Sequence, residues 1–415
     1  MQERNTKIRI GITGPDLLLE RGGAQNHALM VMAFLSKKYD ISYLPNPFLI
    51  DKYRRNIDVA IKRINYLRNL NIIIPPYFTD GLNAGISQNL LLKKYEQNLE
   101  VDFLFNFNQD FPILSADFTR ILSTTKGIES GVCFQNPCIG NISPLKYLGD
   151  SIRLSLIGKN YHSLLFRIYQ YVRTVRVMRG TTGNSNLRLV LILNSECQQK
   201  IKNAFAGTNI LFPANGIMNP DKRYDDSLGD VPKKNKIIFF ARCSYSKGIF
   251  DLIPIFKGIL KIADTKLVVV GKFDHDFERD MFLKRVNDSN LKGKLVYMDY
   301  LKDEDFYREI AESKVMLYPS HSDTYPIGVL QSLYFRTPVV AYNTPAMGVF
   351  KKLEAVRLVK EFDVVSFADE TVKILSNNNI SRLFTPDVLE FISLHSWEKV
   401  SDSYSLFIDQ ALAPR

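Results

Sequence analysis

The stretch KIIFFARCSYSKG, Lys236–Gly248, decides how the second half of the chain folds. Its first six residues form an apolar run of strand length, and Lys247-Gly248 stands just ahead of a segment with helical periodicity. Arg242 leaves the strand end and Lys247 follows five residues later. Two cations at a strand's C-terminal end, beside a helix N-terminus, suit a diphosphate.

The same alternation continues outward. Short apolar runs predict strands at Lys266–Val270, Lys294–Met298, Lys314–Tyr318 and Pro338–Tyr342. Helical periodicity predicts helices at about Phe250–Ile262, Asp276–Val286, Asp303–Ala311, Val329–Phe335 and Ser366–Ser376. Strands alternating with helices demand a parallel sheet covered on both faces. The first half carries the signal less regularly. KIRIGIT (Lys7–Thr13) is a strand, a Gly22-Gly23 turn leads to a helix from about Gln25 to Lys38, and further strands fall near Ile41–Leu44, Val101–Phe107 and Leu187–Asn194. The run around Pro213–Pro232 is rich in Pro, Gly, Asn and Asp and reads as a linker. Leu389–Leu412, with the single tryptophan Trp397, reads as one or two amphipathic helices.

A length of 415 residues fits two domains of about 200 residues each, and 46% hydrophobic residues exclude global disorder. The net charge of +11 is lopsided. Residues 1–215 hold 26 Lys and Arg against 15 Asp and Glu, whereas residues 216–415 hold 28 of each. A positive field confined to one half points to an anionic partner there. Two basic, aromatic-bearing segments lie in or beside it, Lys52–Leu70 and Arg153–Arg179. They read as a solvated helix face, as a patch for an anionic membrane surface, or as a nucleic-acid contact. No nucleic-acid motif accompanies them, so nucleic acid is not expected as a partner. Four cysteines without zinc spacing make neither a metal site nor a disulfide framework, and Cys133 and Cys138 read as buried thiols rather than a redox pair. A reducing cytoplasm, no signal peptide and, without an apolar run of about 20 residues, only peripheral membrane contact are expected.

Four segments recur in order: ARCSYSKG (241–248), VVVGK (268–272), PSHSDTYPIGVLQ (319–331) and RTPVVAYNTPA (336–346). The set resembles retaining glycosyltransferase family 4, glycosyl transferases group 1, whose pattern runs GR-x4-KG, a vvG strand end, PS-x2-E-x7-E and G-x-PVVA. The likeness is strongest over about residues 236–348. It is weaker at Gly22-Gly23-Ala24-Gln25 and at Ser396-Trp397-Glu398-Lys399-Val400. Members have the GT-B fold, so the resemblance implies an α/β protein of two Rossmann-like, doubly wound domains facing a central cleft. Residues 1–215 would form the acceptor domain, joined by C-terminal helices from about 389 to 415, and residues 216–388 the nucleotide-sugar domain.

The resemblance also implies roles. Arg242 and Lys247 would neutralise the donor diphosphate and stabilise the departing nucleotide, and Asp323, at the first acidic position, would address the donor sugar. Gln331 would meet the ribose. Gly22, Gly23, Gly271 and the backbone of Ile327, Gly328 and Val329 would complete the donor site. The implied reaction is transfer with retention from a nucleotide-sugar donor to a glycan or lipid-linked acceptor. It needs no cofactor and no metal ion. The family places Glu at both acidic positions and Gly where Pro326 stands. Gln331 keeps hydrogen-bonding capacity without charge, and Pro326 has no N–H to offer a phosphate. Proline suits the first position of a helix, which would leave the donors to residues 327–329. Near Gly131–Asn141, where relatives carry a histidine, Gln135 stands, and no base is assigned to it. Asp274-His275-Asp276 has the look of a metal-binding DxD, but two acids there also suit a helix start. His27 reads as a residue on a helix face. Two rival functions remain: a non-catalytic GT-B scaffold, favoured by Gln331 and Pro326, and a nucleotide-sugar epimerase.

Overall fold

The computed structural model describes residues 7–20, 22–108, 113–136, 148–149, 151–152, 156, 162–217, 231–273 and 275–414. The chain forms two compact units. One comprises Met1–Ile142, Tyr169–Gly216 and Trp397–Arg415, the other Ser143–Ile168 and Ile217–Ser396.

The first unit is built on six parallel strands: β1 (Arg9–Thr13), β2 (Asp40–Tyr43), β3 (Phe103–Asn106), β4 (Ser130–Phe134), β5 (Leu187–Ile192) and β6 (Asn209–Ile210). Their spatial order is β2-β1-β3-β4-β5-β6, so the strand order reverses between β1 and β3. Helices α1 (Gly23–Leu35), α2 (Ile50–Arg55), α3 (Ile57–Asn69), α4 (Pro76–Ala84), α5 (Gln88–Asn98), α6 (Ile113–Lys126), α7 (His162–Thr182), which belongs to this unit from Tyr169 onward, and α8 (Gln199–Ala204) connect them. Strands β3 and β4 are buried throughout, as strands covered on both faces must be.

The second unit has six more parallel strands: β7 (Lys234–Phe240), β8 (Lys266–Val270), β9 (Leu295–Met298), β10 (Ser313–Tyr318), β11 (Val339–Tyr342) and β12 (Val356–Val359). Their order, β12-β11-β10-β7-β8-β9, is the doubly wound dinucleotide-fold order and reverses between β7 and β10. Helices α9 (Leu252–Leu260), α10 (Asp276–Asp288), α11 (Asp303–Glu312) and α12 (Ile327–Tyr334) lie between the strands, and α13 (Val364–Leu375) and α14 (Pro386–Leu394) follow β12. Ile255, Phe256 and Ile259 of α9 and Phe367 of α13 pack on Ile237, Phe239, Leu267 and Val315 of the sheet, all buried.

The last helix, α15 (Trp397–Leu412), belongs to the first unit. The C-terminal return thus begins at Trp397 rather than near 389, because α14 stays with the second unit through the ring contact of Phe391 with Phe350 and the hydrogen bond between His395 Nε2 and the Tyr325 hydroxyl at 2.6 Å. The basis of the return is polar as well as apolar. His27 of α1 is buried; its Nε2 lies 2.8 Å from the Tyr404 hydroxyl and its Nδ1 2.5 Å from Asn215 Oδ1. An amide oxygen can only accept, so Nδ1 carries the proton and Tyr404 donates to Nε2. Burial pushes the imidazole pKa down to about 4, which keeps it neutral. His27 is therefore an anchor inside the unit, not a residue on an open helix face. Trp397 packs edge-on to it at 5.5 Å and lies over Gly216, where a Cβ would come within 2.5 Å of the indole.

Truncating Trp397 should unseat α15. Trp397→Ala should cost roughly 3–5 kcal/mol, the usual range for a buried aromatic. Leu406→Ala, at an exposed site of the same helix, should stay within about 0.5 kcal/mol. Denaturant unfolding followed by circular dichroism reads both.

Candidate active site

In an open α/β sheet a ligand finds its crevice at the C-terminal strand ends, where the strand order reverses. In the second unit that point lies between β7 and β10. Beyond β7, Tyr245–Lys247 make one 3-10 turn that ends on Gly248 with φ of 71°. A Cβ on Gly248 would lie 1.9 Å from the carbonyl oxygen of Pro319. The Lys-Gly and Pro-Ser segments therefore meet backbone to backbone, which only glycine permits. Ser246 extends the junction, its carbonyl accepting from the amides of His321 at 2.9 Å and Ser322 at 3.2 Å. Gly271, at the end of β8 with φ of 150°, makes its close approach to the chain itself: a Cβ there would lie 1.8 Å from Ala241 O.

This junction brings Lys247 and Asp323 into a direct ion pair, mostly shielded from solvent. Lys247 Nζ also donates to Ser322 O at 3.0 Å. Asp323 Oδ2 accepts from the Tyr318 hydroxyl as well, and Oδ1 accepts from the Thr324 amide at 2.8 Å. Burial opposes charge on this carboxyl, but Lys247 and the two other donors, Tyr318 and the Thr324 amide, outweigh it and hold its pKa below the ordinary range. Asp323 is thus a carboxylate at neutral pH. Arg242 lies exposed at the exit of β7.

Pro326 is the N-cap of α12 in an extended conformation, and Ile327 is the first helical residue. The expectation of proline at the first helical position is off by one. A ψ of 107° keeps Pro326 outside the helical backbone. The cap supplies no side-chain hydrogen bond and the first turn no acid. The amides of Ile327, Gly328 and Val329 lie at the positive end of the helix, and Leu330 N is the first to bond back, to Pro326 O at 3.4 Å. Gly328 faces Phe240, the last residue of β7, and Met316, within β10, and this sets the helix start against the two strands that flank the reversal. Gln331 follows on α12, partly exposed.

One residue at the junction was not singled out from sequence. His321 is buried, with Nδ1 at 2.8 Å from Glu361 Oε1 and Nε2 at 3.1 Å from Asp251 Oδ2. Its ring stacks on Phe362 at 4.4 Å. Tyr342 OH donates to the same Asp251 oxygen at 2.8 Å. The only sequence cue was a histidine inside the Pro-Ser motif.

In the first unit, Gly22 is the N-cap of α1 and Gly23 its first residue, with neither a capping side chain nor a first-turn acid. Gln135 follows β4 and is buried. His275 caps α10 and Asp276 pairs with Arg279 at 3.1 Å, as a helix-start acid does; Asp274 lies outside the described residues. Cys133 is buried, 3.3 Å from the Tyr404 hydroxyl, and Cys138 lies outside the described residues. Three cations of the Lys52–Leu70 segment are engaged within the unit. Lys52 pairs with Asp16 and Glu20, Arg54 bonds Asp51 and the carbonyls of Gly81 and Ile86, and Arg63 donates to Leu17 O. A depression of about 500 Å³ beside Phe250, Asp251, Arg285 and Phe362 does not include Lys247, Asp323 or Gln331.

Residues 221–385 match the family described as Glycosyl transferases group 1. Two curated relatives agree. One is the 2-deoxystreptamine N-acetyl-D-glucosaminyltransferase of Niallia circulans, 22% identical over 41% of this chain and 42% of its own length. The other is an uncharacterized glycosyltransferase of Methanocaldococcus jannaschii, 26% identical over 41% of this chain and 44% of its own. These matches span less than half the length of either relative. Among solved structures, Anabaena HepE in complex with UDP and glucose aligns with 97% of this chain and 100% of its own, at a TM-score of 0.65 and 12% identity. That likeness, together with the two parallel sheets, identifies the fold as GT-B, two Rossmann-like α/β units.

The backbone contact at Gly248 can be tested against a glycine of similar φ in open space. Gly293, with φ of 81°, has nothing within 4 Å of its would-be Cβ. Gly293→Ala should cost about 1–2 kcal/mol for its left-handed backbone alone. Gly248→Ala must also displace Pro319 and should lower the melting temperature further and disturb the Lys247–Asp323 pair. Differential scanning calorimetry of the two variants compares them.

Proposed function

We propose that this chain is a retaining glycosyltransferase that moves a sugar from a nucleotide-sugar donor to a glycan or lipid-linked acceptor. One arrangement carries the reading: the Lys247–Asp323 pair at the strand-order reversal, with Arg242 at the exit of β7 and the uncapped start of α12 three residues after Thr324, the neighbour of Asp323 in its loop. Arg242, Lys247 and the amides of residues 327–329 are assigned to the diphosphate, Asp323 to the sugar and Gln331 to the ribose. Gly22 and Gly23 are assigned to a loop that approaches the donor. Charge neutralisation falls to these groups rather than to a metal ion. In the step proposed, the bond from the anomeric carbon to the phosphate oxygen breaks and the acceptor oxygen attacks from the same face. The acceptor proton passes to the departing phosphate, so no protein nucleophile is needed. Fixed positive charge where negative charge develops is the main contribution asked of the protein. HepE was solved with UDP and glucose, which makes UDP-glucose the first donor to try.

The acceptor is placed at an anionic cytoplasmic membrane face. The charge excess of the first 215 residues supports this, as does one stripe of α7. Tyr169 and Val172 are exposed, and Arg176 and Arg179 follow on the same helix face, spaced 3, 4 and 3 residues apart. Among the described residues no helix is long and apolar enough to cross a membrane.

Arg242→Ala and Lys247→Ala should each lower turnover about ten- to a hundredfold with the fold intact. A charge-assisted contact is worth roughly 1.5–3 kcal/mol. Wild-type rates in both variants, measured as donor consumption, would reject the site. An inactive wild type that still binds nucleotide sugar would favour the scaffold reading that Gln331 and Pro326 suggest.

For the membrane, each basic residue near an anionic surface contributes about 1 kcal/mol. The protein should sediment with phosphatidylserine vesicles at low salt and be released as salt rises. Arg176→Glu combined with Arg179→Glu should abolish sedimentation while leaving the melting temperature unchanged.

A further inference from the structure

We propose that His321 is a positioning residue for the donor site, a doubly protonated clamp whose loss of a proton loosens the loop that carries Asp323. The proposal rests on the donor-site reading above for its effect on nucleotide binding, and on geometry alone for the clamp.

The ring joins three segments of the second unit. Nε2 faces Asp251, at the start of α9, and Nδ1 faces Glu361, just beyond β12. Both partners are carboxylates, which accept and do not donate when ionised, so both ring nitrogens must carry hydrogens for both contacts to be bonds. Phe362 stacks on one side and Tyr342, at the end of β11, lies at 5.2 Å. The ionisable groups facing the ring are therefore Asp251, Glu361 and Tyr342; Lys247 and Asp323, on the neighbouring turn and loop, are paired with each other.

The clamp reaches the site through the backbone. The His321 amide donates to Ser246 O, one residue before Lys247, and Asp323 is two residues after His321. Fixing the ring thus fixes the stretch that presents Lys247 to Asp323. Burial alone would favour the neutral ring, but the two carboxylates prevail and hold the imidazole above its usual range. A group raised on folding contributes stability fully present below the unfolded pKa of about 6.5 and lost as pH rises through the folded value. The vulnerable side is therefore alkaline. Past that point one nitrogen turns a lone pair toward a carboxylate, and attraction becomes repulsion.

The test uses the full chain with UDP as probe, titrated calorimetrically from pH 6 to 9, alongside melting temperature over the same range. UDP affinity and melting temperature should fall together as pH passes through the raised pKa. His321→Gln should bind UDP about tenfold more weakly at neutral pH and should lose the alkaline step in both measurements. Glu361→Gln, at a partly exposed site, keeps an acceptor but removes a charge. It should move the step to lower pH by about one unit. A His321→Gln protein with an unchanged alkaline step, or a Glu361→Gln protein whose step does not move, would overturn the clamp. If the wild type binds no UDP at any pH while its melting temperature still shows a step that His321→Gln removes, the clamp stands and the UDP reading fails.

Discussion

The second unit turns on a charge pair held at the break in a sheet. Lys247 and Asp323 come from loops after β7 and β10, and they meet only because Gly248 lets those loops touch. Shielding an ion pair from water is costly unless its remaining hydrogen-bond capacity is filled. Here it is: Tyr318 and the Thr324 amide serve the carboxylate, and Ser322 O takes another ammonium proton. The small residues of the motif follow from the same constraint. Gly248 removes a collision with Pro319, Gly271 one with Ala241, and Gly328 brings a helix start against Phe240.

The first unit solves a different problem, the docking of a C-terminal helix that arrives after the second unit has been completed. Its solution is a buried neutral imidazole shared by α1, Asn215 and α15. A charged ring would have no counter-ion there, and burial holds the pKa far below physiological pH. His321 is the opposite case. Its side chain is also enclosed, but two carboxylates face it and its pKa moves up. Enclosure alone does not fix a histidine's charge; its partners do.

These differences explain what could be read in the sequence. The strands β7, β8, β10 and β11 were legible because each lies buried between two helix layers and so reads as an apolar run. Lys247 and Asp323 were legible as motif positions. Their contact was not, since it spans 76 residues. Strand β4 was missed because its Gly131 makes room for Phe105 and weakens the strand signal. Strand β12 was missed because Arg357 interrupts it, and β6 has only two residues. The His321 network was illegible because its partners lie 40 and 70 residues away. Charge counting overstated the basic segment at 52–70, where Lys52, Arg54 and Arg63 serve the fold.

Under the donor-site reading, the arrangement of partners also sets the order in which charge can be exchanged. An incoming diphosphate competes with Asp323 for Lys247. Asp323 can yield without being stranded, because Tyr318 and the Thr324 amide still serve it after the ammonium turns away. Lys247 is thus lent to the carboxylate rather than consumed by it. Gln331 fits the same logic. A second carboxylate one helical stretch from α12's open amides would repel a diphosphate seated there. A neutral amide does not, and it can still accept from one hydroxyl and donate to another. The loss is the charge-assisted strength of that contact. On that reading, anion binding at the helix start and weaker hydroxyl recognition at its second turn are two consequences of placing Gln at 331.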